Sequence, residues 1–442
     1  MARKWEELAE DDGYSLGDAD GFPDADDIGA DADYEPPVNA AFGQKPVRIP
    51  LVLVLLASLG GAMFAATSTA DFAAHLDRQV HSVTCSVMPG GEAGMENGCK
   101  VVMMSPYSSW FRTDYWGGIP ISLFALAVFC FLAYRSAHLV WKGNDATRAE
   151  TGFLLAATVL PVVMSVGYGY ISYSEVGALC TVCAGIYAVS GLAFVGALGG
   201  FLMSSSPPMG DPAAARRFGV GMLEGVGFVF ALTMVWLMFI PQTQAGERGV
   251  DGCGTLVQPE DPAGIMLDIG RNPGGAPSIE LLDPLCPACK AFDGRLHEST
   301  LDQKLDLKAV LFPLDAECNW MLTESLHPGA CAVSEAMLCA NGQNQIRAIL
   351  EWAFENQDAL LEAAKNGDGP VRSQIEAAFP AVAGCLGTPV ARNKLVKSLR
   401  WAVANALPVM TPQLFVRGNR LCDEDTDLGL EYTLTRMIGG AK

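Results

Sequence analysis

The chain has 442 residues, 50% of them hydrophobic, and a positive mean hydropathy. That balance is too apolar for an ordinary soluble chain of this length and points to a membrane protein. The net charge of −20 argues against a nucleic-acid partner, because a polyanion is bound by basic surfaces.

Residues 1–45 carry thirteen acids, from Glu6 to Glu35, against Arg3, Lys4 and Lys45, a net of −10. The stretch is rich in Asp, Gly and Pro and has no apolar periodicity, so a disordered acidic tail is expected. Five apolar stretches follow, each near the ~20 residues that a hydrocarbon core requires. They are 49–70, 119–141, 151–174, 176–203 and 216–240. Lys45 and Arg48 precede the first, Lys142 and Arg148 separate the second and third, and Arg216 and Arg217 precede the fifth. These charges alternate onto one side, which the positive-inside rule assigns to the cytoplasm. The segment 71–118 and everything after residue 241 are then expected outside, and the linker 204–215 ("SSSPPMGDPAAA") inside.

This topology sorts the thirteen cysteines. Cys85 and Cys99 fall in the large outer loop, Cys180 and Cys183 at the outer end of the fourth span, and eight in the outer C-terminal region. Twelve cysteines thus face an oxidising compartment where disulfides persist. Cys130 is left alone inside the second span, where a cysteine serves as a small apolar residue. Cys253, Cys318, Cys331, Cys339, Cys385 and Cys422 read as structural disulfides, and six cysteines allow 15 pairings that the sequence leaves open.

The stretch "ALCTVCAGIY" (178–187) sets a C-x-x-C pair, Cys180 and Cys183, at the edge of the bilayer. A reactive group at that depth is a functional feature. A dithiol there faces aqueous thiol chemistry on one side and membrane-dissolved carriers such as quinones on the other. In the outer region, "SIELLDPLCPACKAF" (278–292) predicts a strand, a turn with Asp283 and Pro284, and a helix opened by Cys286-Pro-Ala-Cys289. A cysteine at a helix N-terminus is stabilised as thiolate by the dipole and free N–H groups, and Pro287 suits the first turn. Cys286 is expected to be the exposed nucleophile and Cys289 the resolving thiol. Further on, "VMTPQLFVRGNRL" (409–421) predicts a Pro-bearing turn, a strand and a Gly turn. With only five histidines in the whole chain and no second C-x-x-C in this region, no metal site is expected.

C-P-A-C after a strand, with Thr411-Pro412 before a later strand, resembles the thioredoxin superfamily in its DsbA-like branch. The resemblance covers about 270–440. It implies a cis Pro412 beside the CPAC pair and a helical insertion at about 316–400. The upstream region resembles the vitamin K epoxide reductase family. The residues that carry this likeness are Cys85 and Cys99 in an outer loop, Ser105 six residues on, Gly118-Ile119-Pro120 opening a span, then Cys180, Cys183 and Tyr187. That resemblance implies a four-helix bundle around a quinone, with Ser105 and Tyr187 hydrogen-bonding it beside Cys183. The thirteen residues between Cys85 and Cys99 exceed the family's usual interval.

The expected fold is therefore multi-domain: an all-α transmembrane four-helix bundle, one linking transmembrane helix, and an α/β thioredoxin-like domain with a helical insertion. The expected boundaries are an acidic cytoplasmic tail (1–45), the membrane domain (46–203, outer loop 71–118), the linker and fifth helix (204–240) and the extracytoplasmic domain (241–442). The resemblances imply a quinone-dependent enzyme that forms disulfides in secreted or periplasmic proteins at a bacterial cytoplasmic membrane. Electrons would pass from client thiols to Cys286 and Cys289, then to Cys85 and Cys99, then to Cys180 and Cys183, then to ubiquinone or menaquinone. Two other readings are an outward-directed reductant carrier feeding an isomerase-like CPAC domain, and a membrane-anchored protein whose disulfides are all structural.

Overall fold

The computed structural model describes residues 47–76, 98–178, 180–204, 212–239, 253–270, 272, 274–340 and 342–439. The acidic stretch 1–45, Cys85 and most of the 204–215 linker lie outside these residues.

Among the described residues, five helices are long and apolar enough to cross a membrane. They are α1 (Arg48–Leu76), α3 (Ile121–Lys142), α4 (Arg148–Ser174), α5 (Thr181–Met203) and α6 (Pro212–Phe239), with a short α2 (Gly98–Met104) between the first two. Apolar runs of this length form helices in lipid because every internal N–H and C=O is then paired within the segment. Helix α1 packs against α3 and α5, α4 packs against α5, and α6 lies on α3 and α4. Small residues allow the close approaches. A Cβ at Gly61 would overlap the Phe129 ring of α3, and one at Gly196 would press on the Pro50 carbonyl and Val54 of α1. Thr147 caps α4 by accepting from the Glu150 N–H, and Glu150 accepts in turn from the Thr147 N–H at 3.1 Å. Glu150 also takes the Lys142 ammonium at 2.6 Å, which ties the ends of α3 and α4.

Two boundaries differ from the sequence reading by five residues or more. Helix α1 continues past residue 70 to Leu76, carrying Asp71 and His75. The fourth span begins at Thr181 rather than 176, because Gly177 takes a positive φ and Cys180 is extended as the helix cap.

The C-terminal region is built on a five-stranded sheet in the order β3-β5-β4-β6-β7. Its strands are β3 (Leu267–Asp268), β4 (Ala276–Leu282), β5 (Leu305–Leu311), β6 (Gln413–Val416) and β7 (Asn419–Arg420). A separate pair, β1 (Ser109–Trp110) and β2 (Ile119–Pro120), closes the segment between α2 and α3. Strands β4 and β5 are parallel and joined by helix α7 (Pro287–Glu298), while β6 runs antiparallel to β4. Helices α8 (Ala330–Cys339), α9 (Gln343–Glu355), α10 (Gln357–Ala364), α11 (Asp368–Ala378) and α12 (Pro389–Ala404) lie between β5 and β6, and α13 (Leu430–Gly439) follows the sheet. This is a thioredoxin-like fold with a helical insertion.

The register decides what meets at the end of the sheet. Leu281 pairs with Gln413, and Leu282 pairs with Leu311. The chain leaving β4 toward CPAC, the chain entering β6 from Pro412, and the chain leaving β5 therefore converge at one edge. Along β4 side chains alternate between faces. Leu282 packs with Phe292 and Leu296 of α7, while Leu281 packs with Leu399 and Trp401 of α12. Glu280 shares the α7 face with Leu282.

Three disulfides resolve the pairing that the sequence left open: Cys253–Cys422, Cys318–Cys331 and Cys339–Cys385. The last joins the end of α8 to the turn before α12 across 46 residues. Replacing both Cys339 and Cys385 with Ser should lower the stability of this domain by about 2–4 kcal/mol. Denaturant unfolding monitored by tryptophan fluorescence checks this, and Cys286 should keep its reactivity toward an alkylating reagent in native buffer.

Candidate functional site

The membrane-side site forms where α5 begins. Cys180 occupies the cap position, and its Sγ accepts the Cys183 N–H at 3.3 Å. The first turn of a helix has N–H groups without intrahelical partners, and here a sulfur takes one. Cys180 and Cys183 are both unbridged thiols. Cys99 lies in the first turn of α2 with its Sγ 3.7 Å from the Thr181 Oγ1. It packs in one buried cluster with Cys180 and Val182, against Cys183 and Phe64. Cys99 is disulfide-bonded; Cys85, the partner expected from the sequence, lies outside the described residues.

These cysteines border a cavity of about 390 Å³ inside the bundle, walled by α1, α3, α4 and α5. Phe124, Val128, Phe129, Leu160 and Ile186 give it an apolar lining, and Ser105, Tyr168, Tyr187 and Asp71 add polar groups. Ser105 and Tyr187, from distant parts of the chain, thus share one cavity with Cys183. The Ser105 hydroxyl donates to the Val102 carbonyl at 2.7 Å. Trp110 also lines the cavity, with its ring centroid 5.1 Å from that of Phe124.

The loop above the cavity is held by the thioredoxin-like domain. Arg112 is buried, and its Nη1 donates both to the Ser105 carbonyl at 3.2 Å and to the Glu431 Oε1 at 2.8 Å. Trp116 Nε1 donates to Asp425 at 3.2 Å, and His75 Nε2 lies 3.2 Å from Asp427. Leu428 is buried with Phe72, Leu76, Trp116 and Trp236. Gly429 is required against this surface, since a Cβ would overlap the Trp116 indole. Trp116 is thus a docking residue between the two domains.

In the thioredoxin-like domain, Cys286 caps α7 and Pro287 fills the first helical position. The Thr411–Pro412 peptide bond is cis, and the Cys286 Sγ lies 3.7 Å from the Thr411 carbonyl. This loop covers the thiol, so Cys286 is only 4% exposed and Cys289 is fully buried at 0%. The expectation of an exposed Cys286 is thereby corrected: the first cysteine is the less buried of two buried ones. Both are thiols rather than a disulfide. A hydrogen bond from the Cys289 thiol, reinforced by contact with Thr411 and the Cys289 N–H, outweighs burial and brings the Cys286 pKa down to about 6. Burial first, then the Cys286 thiolate and the charges of Glu280 and Asp283, push Cys289 well above the ordinary thiol value. The pair is thus split into a ready thiolate and a retained thiol, as nucleophilic exchange requires.

Glu280 is a functional candidate that the sequence reading passed over. It is 1% exposed in the middle of the sheet, and its Oε1 has no hydrogen-bond partner. Burial, and the nearby Asp293, raise its pKa to about 8 despite Arg347. Arg347 is itself occupied by both carboxylate oxygens of Asp293 at 2.6 Å. A carboxyl that exchanges its proton near neutrality beside a buried thiol is suited to take the Cys289 proton when that thiol must react. The visible signal was a lone acid inside the apolar run Ile279–Leu282.

Residues 52–198 match the model of the vitamin K epoxide reductase family, and this segment is a domain of that family. No curated protein matches the chain. Among solved structures, a linker-deletion variant of ScsC from Proteus mirabilis is 18% identical, with 40% of this chain and 75% of that chain covered and a TM-score of 0.25. DsbA from Xylella fastidiosa is 20% identical, with 39% and 94% covered and a TM-score of 0.27. Proteus mirabilis ScsC in a transitional conformation is 17% identical, with 52% and 99% covered and a TM-score of 0.27. The family domain and the CPAC geometry make this chain a thiol–disulfide oxidoreductase.

Glu280 generates a pH prediction. Its folded pKa of about 8 lies above the ordinary 4.5. The stability associated with its protonated form is fully present below the ordinary value and lost as pH rises through the folded one. Denaturation midpoints should therefore fall across that window in the wild type, and Glu280→Gln should flatten that decline.

Proposed function

We propose that this protein forms disulfides in reduced secreted or periplasmic proteins and discharges the electrons into a membrane quinone. The observation that carries the reading is the convergence of Cys99, Cys180, Cys183, Ser105 and Tyr187 on one apolar cavity of about 390 Å³ within the helical bundle. The volume falls in the range of small-molecule sites, and apolar walls with a few hydroxyls, Ser105 and Tyr187 among them, suit an aromatic head group that bears carbonyl oxygens. A quinone bound there, ubiquinone or menaquinone, supplies an acceptor for two electrons and two protons.

The residues are assigned as follows. A client thiolate attacks Cys286 in the CPAC disulfide, and the client's second thiol resolves the mixed disulfide. Cys286 leaves as a stabilised thiolate and Cys289 as a thiol. Cys286 then attacks the Cys85–Cys99 disulfide, and Cys289, deprotonated by Glu280, closes the CPAC disulfide again. Cys85 or Cys99 passes the pair to Cys180 and Cys183 by the same exchange. Cys183 faces the cavity beside Tyr187, and Ser105 and Tyr187 orient the acceptor. Val409 and Met410 are exposed beside the Thr411–Pro412 loop and offer apolar contact to a client peptide.

The direction of flow is supported by Cys286. A thiolate stabilised to a pKa of about 6 favours the reduced pair and so makes the CPAC disulfide an oxidant. An outward reductant carrier needs cysteines within reach of the cytoplasm, and Cys130 is absent from the cavity lining. In this reading the acidic tail (1–45) is cytoplasmic, the membrane domain (46–203) lies in the bacterial cytoplasmic membrane, and a linker with the fifth helix (204–240) leads to an extracytoplasmic domain (241–442).

The test uses the full chain in detergent with a reduced unfolded client and a soluble quinone analogue. Client thiols and quinone absorbance should fall together, with two thiols lost per quinone, and Cys183→Ala should abolish quinone reduction. Cys286→Ser/Cys289→Ser should abolish client oxidation while the circular dichroism spectrum is retained, against a purely structural role. Thiol loss without quinone reduction would overturn the proposed acceptor.

A further inference from the structure

The turn between β4 and CPAC holds a second buried acid. Asp283 is 0% exposed and three residues before Cys286. Its carboxylate accepts from the Leu285 N–H at 2.8 Å, from the Leu314 N–H at 2.8 Å, and from His327 Nδ1 at 2.7 Å. Two of these partners are fixed backbone amides; the third titrates. An ionised Asp283 opposes a thiolate at Cys286 and at Cys289. Without an answering charge, this acid would work against the chemistry beside it.

His327 is held firmly in that position. The His327 N–H donates to the Leu314 carbonyl at 3.0 Å, and the Ala330 N–H donates to the His327 carbonyl at 3.2 Å. The Cys318–Cys331 disulfide brackets the segment. Asp315 fastens it further, accepting from the Ser325 hydroxyl and the Gly329 N–H at 2.8 and 2.9 Å.

We propose that His327 is a positioning residue for thiol–disulfide exchange: in its protonated form it neutralises Asp283 and so permits a stable Cys286 thiolate. The charged groups facing His327 are Asp283, Asp315 and the Cys286 sulfur; those facing the thiol pair are Asp283 and Glu280. Burial disfavours the imidazolium, but the hydrogen bond to Asp283 and the three negative neighbours outweigh it and raise the His327 pKa. Linkage then runs both ways. Reducing CPAC creates the Cys286 thiolate, which raises the proton affinity of His327, and the protonated ring in turn stabilises reduced CPAC. The oxidising strength of the CPAC disulfide is therefore greatest when His327 is charged and declines as pH rises through its pKa. CPAC itself contains no histidine; the cation comes from a segment 41 residues downstream of Cys286.

This inference rests on Cys286 as the attacking thiol, but it involves no quinone. Its test is thus separate from that of the membrane relay. Reduced full-length protein in detergent is alkylated with iodoacetamide across pH, and modification of Cys286 is read by peptide mass spectrometry. The wild-type midpoint is expected near 6. Loss of a neighbouring cation in His327→Gln should raise it by about one pH unit and lower the equilibrium constant for CPAC reduction by glutathione about tenfold. In an Asp283→Asn background, the same substitution should shift the midpoint by less than half as much, because the charge it answers is gone. In wild-type protein with isotope-labelled histidine, the His327 ring should titrate at higher pH in the reduced than in the oxidised form. An unshifted midpoint in His327→Gln, a full shift in the Asp283→Asn background, or identical His327 titrations in the two redox forms overturns the proposal.

Discussion

The guanidinium of Arg112 is buried between two domains, and much of the architecture depends on how it is answered there. A charge removed from water must find partners or it destabilises the fold. Arg112 finds the Ser105 carbonyl on the membrane side and Glu431 on the thioredoxin-like side. One side chain thus joins the rim of the apolar cavity to helix α13. Trp116 with Asp425, His75 with Asp427, and buried Leu428 complete the joint. Because the partners are polar and specific, the contact fixes an orientation, which a purely apolar patch would leave looser.

The same rule governs the CPAC site of the thioredoxin-like domain, with a different outcome at each group. Glu280 has no cation of its own, since Arg347 is held by Asp293, and so its carboxyl stays protonated to about 8. Asp283 is enclosed differently, by two backbone amides and an imidazole. Cys286 and Cys289, one helical turn apart, differ because one receives hydrogen bonds and the other is enclosed. Two thiols and one carboxyl within one small region thereby take three distinct proton affinities. Exchange chemistry needs such separation: one sulfur must be ready to attack, and another must wait until a base accepts its proton.

Much of this was legible in the sequence, and the reason is local. Apolar runs specify spans, and a strand, a Pro-containing turn and a helix cap within a dozen residues specify the CPAC geometry. Thr411-Pro412 before an apolar strand was readable in the same way. What escaped the sequence depends on distant pairing. Arg112 and Glu431 are 319 residues apart, and His327 and Asp283 are 44 apart. Nothing near Arg112 in the chain distinguishes it from a surface arginine. The burial of Cys286 escaped for the same reason, since the Thr411–Pro412 loop that covers it arrives 125 residues later. The disulfide pairing also awaited the fold, because Cys253 reaches Cys422 only once β6 and β7 have placed the latter.

The sheet register explains why those distant groups meet at the redox centre. Strand β4 is central, parallel to β5 and antiparallel to β6, so three chain segments reach one edge together. The segment after β4 brings the cysteines and Asp283. The one before β6 brings the cis-proline loop, and the one after β5 brings Leu314, Asp315 and His327. A slip of a single residue in β4 would turn Glu280 to the opposite face and place Ile279 or Leu281 beneath Cys289. The acid would then face Leu399 and Trp401, where it could take no proton from a thiol. Alternation along one seven-residue strand therefore joins fold to chemistry: Leu281 anchors the register in one core, Leu282 in the other, and Glu280 falls beneath the cysteines because its neighbours allow no other arrangement.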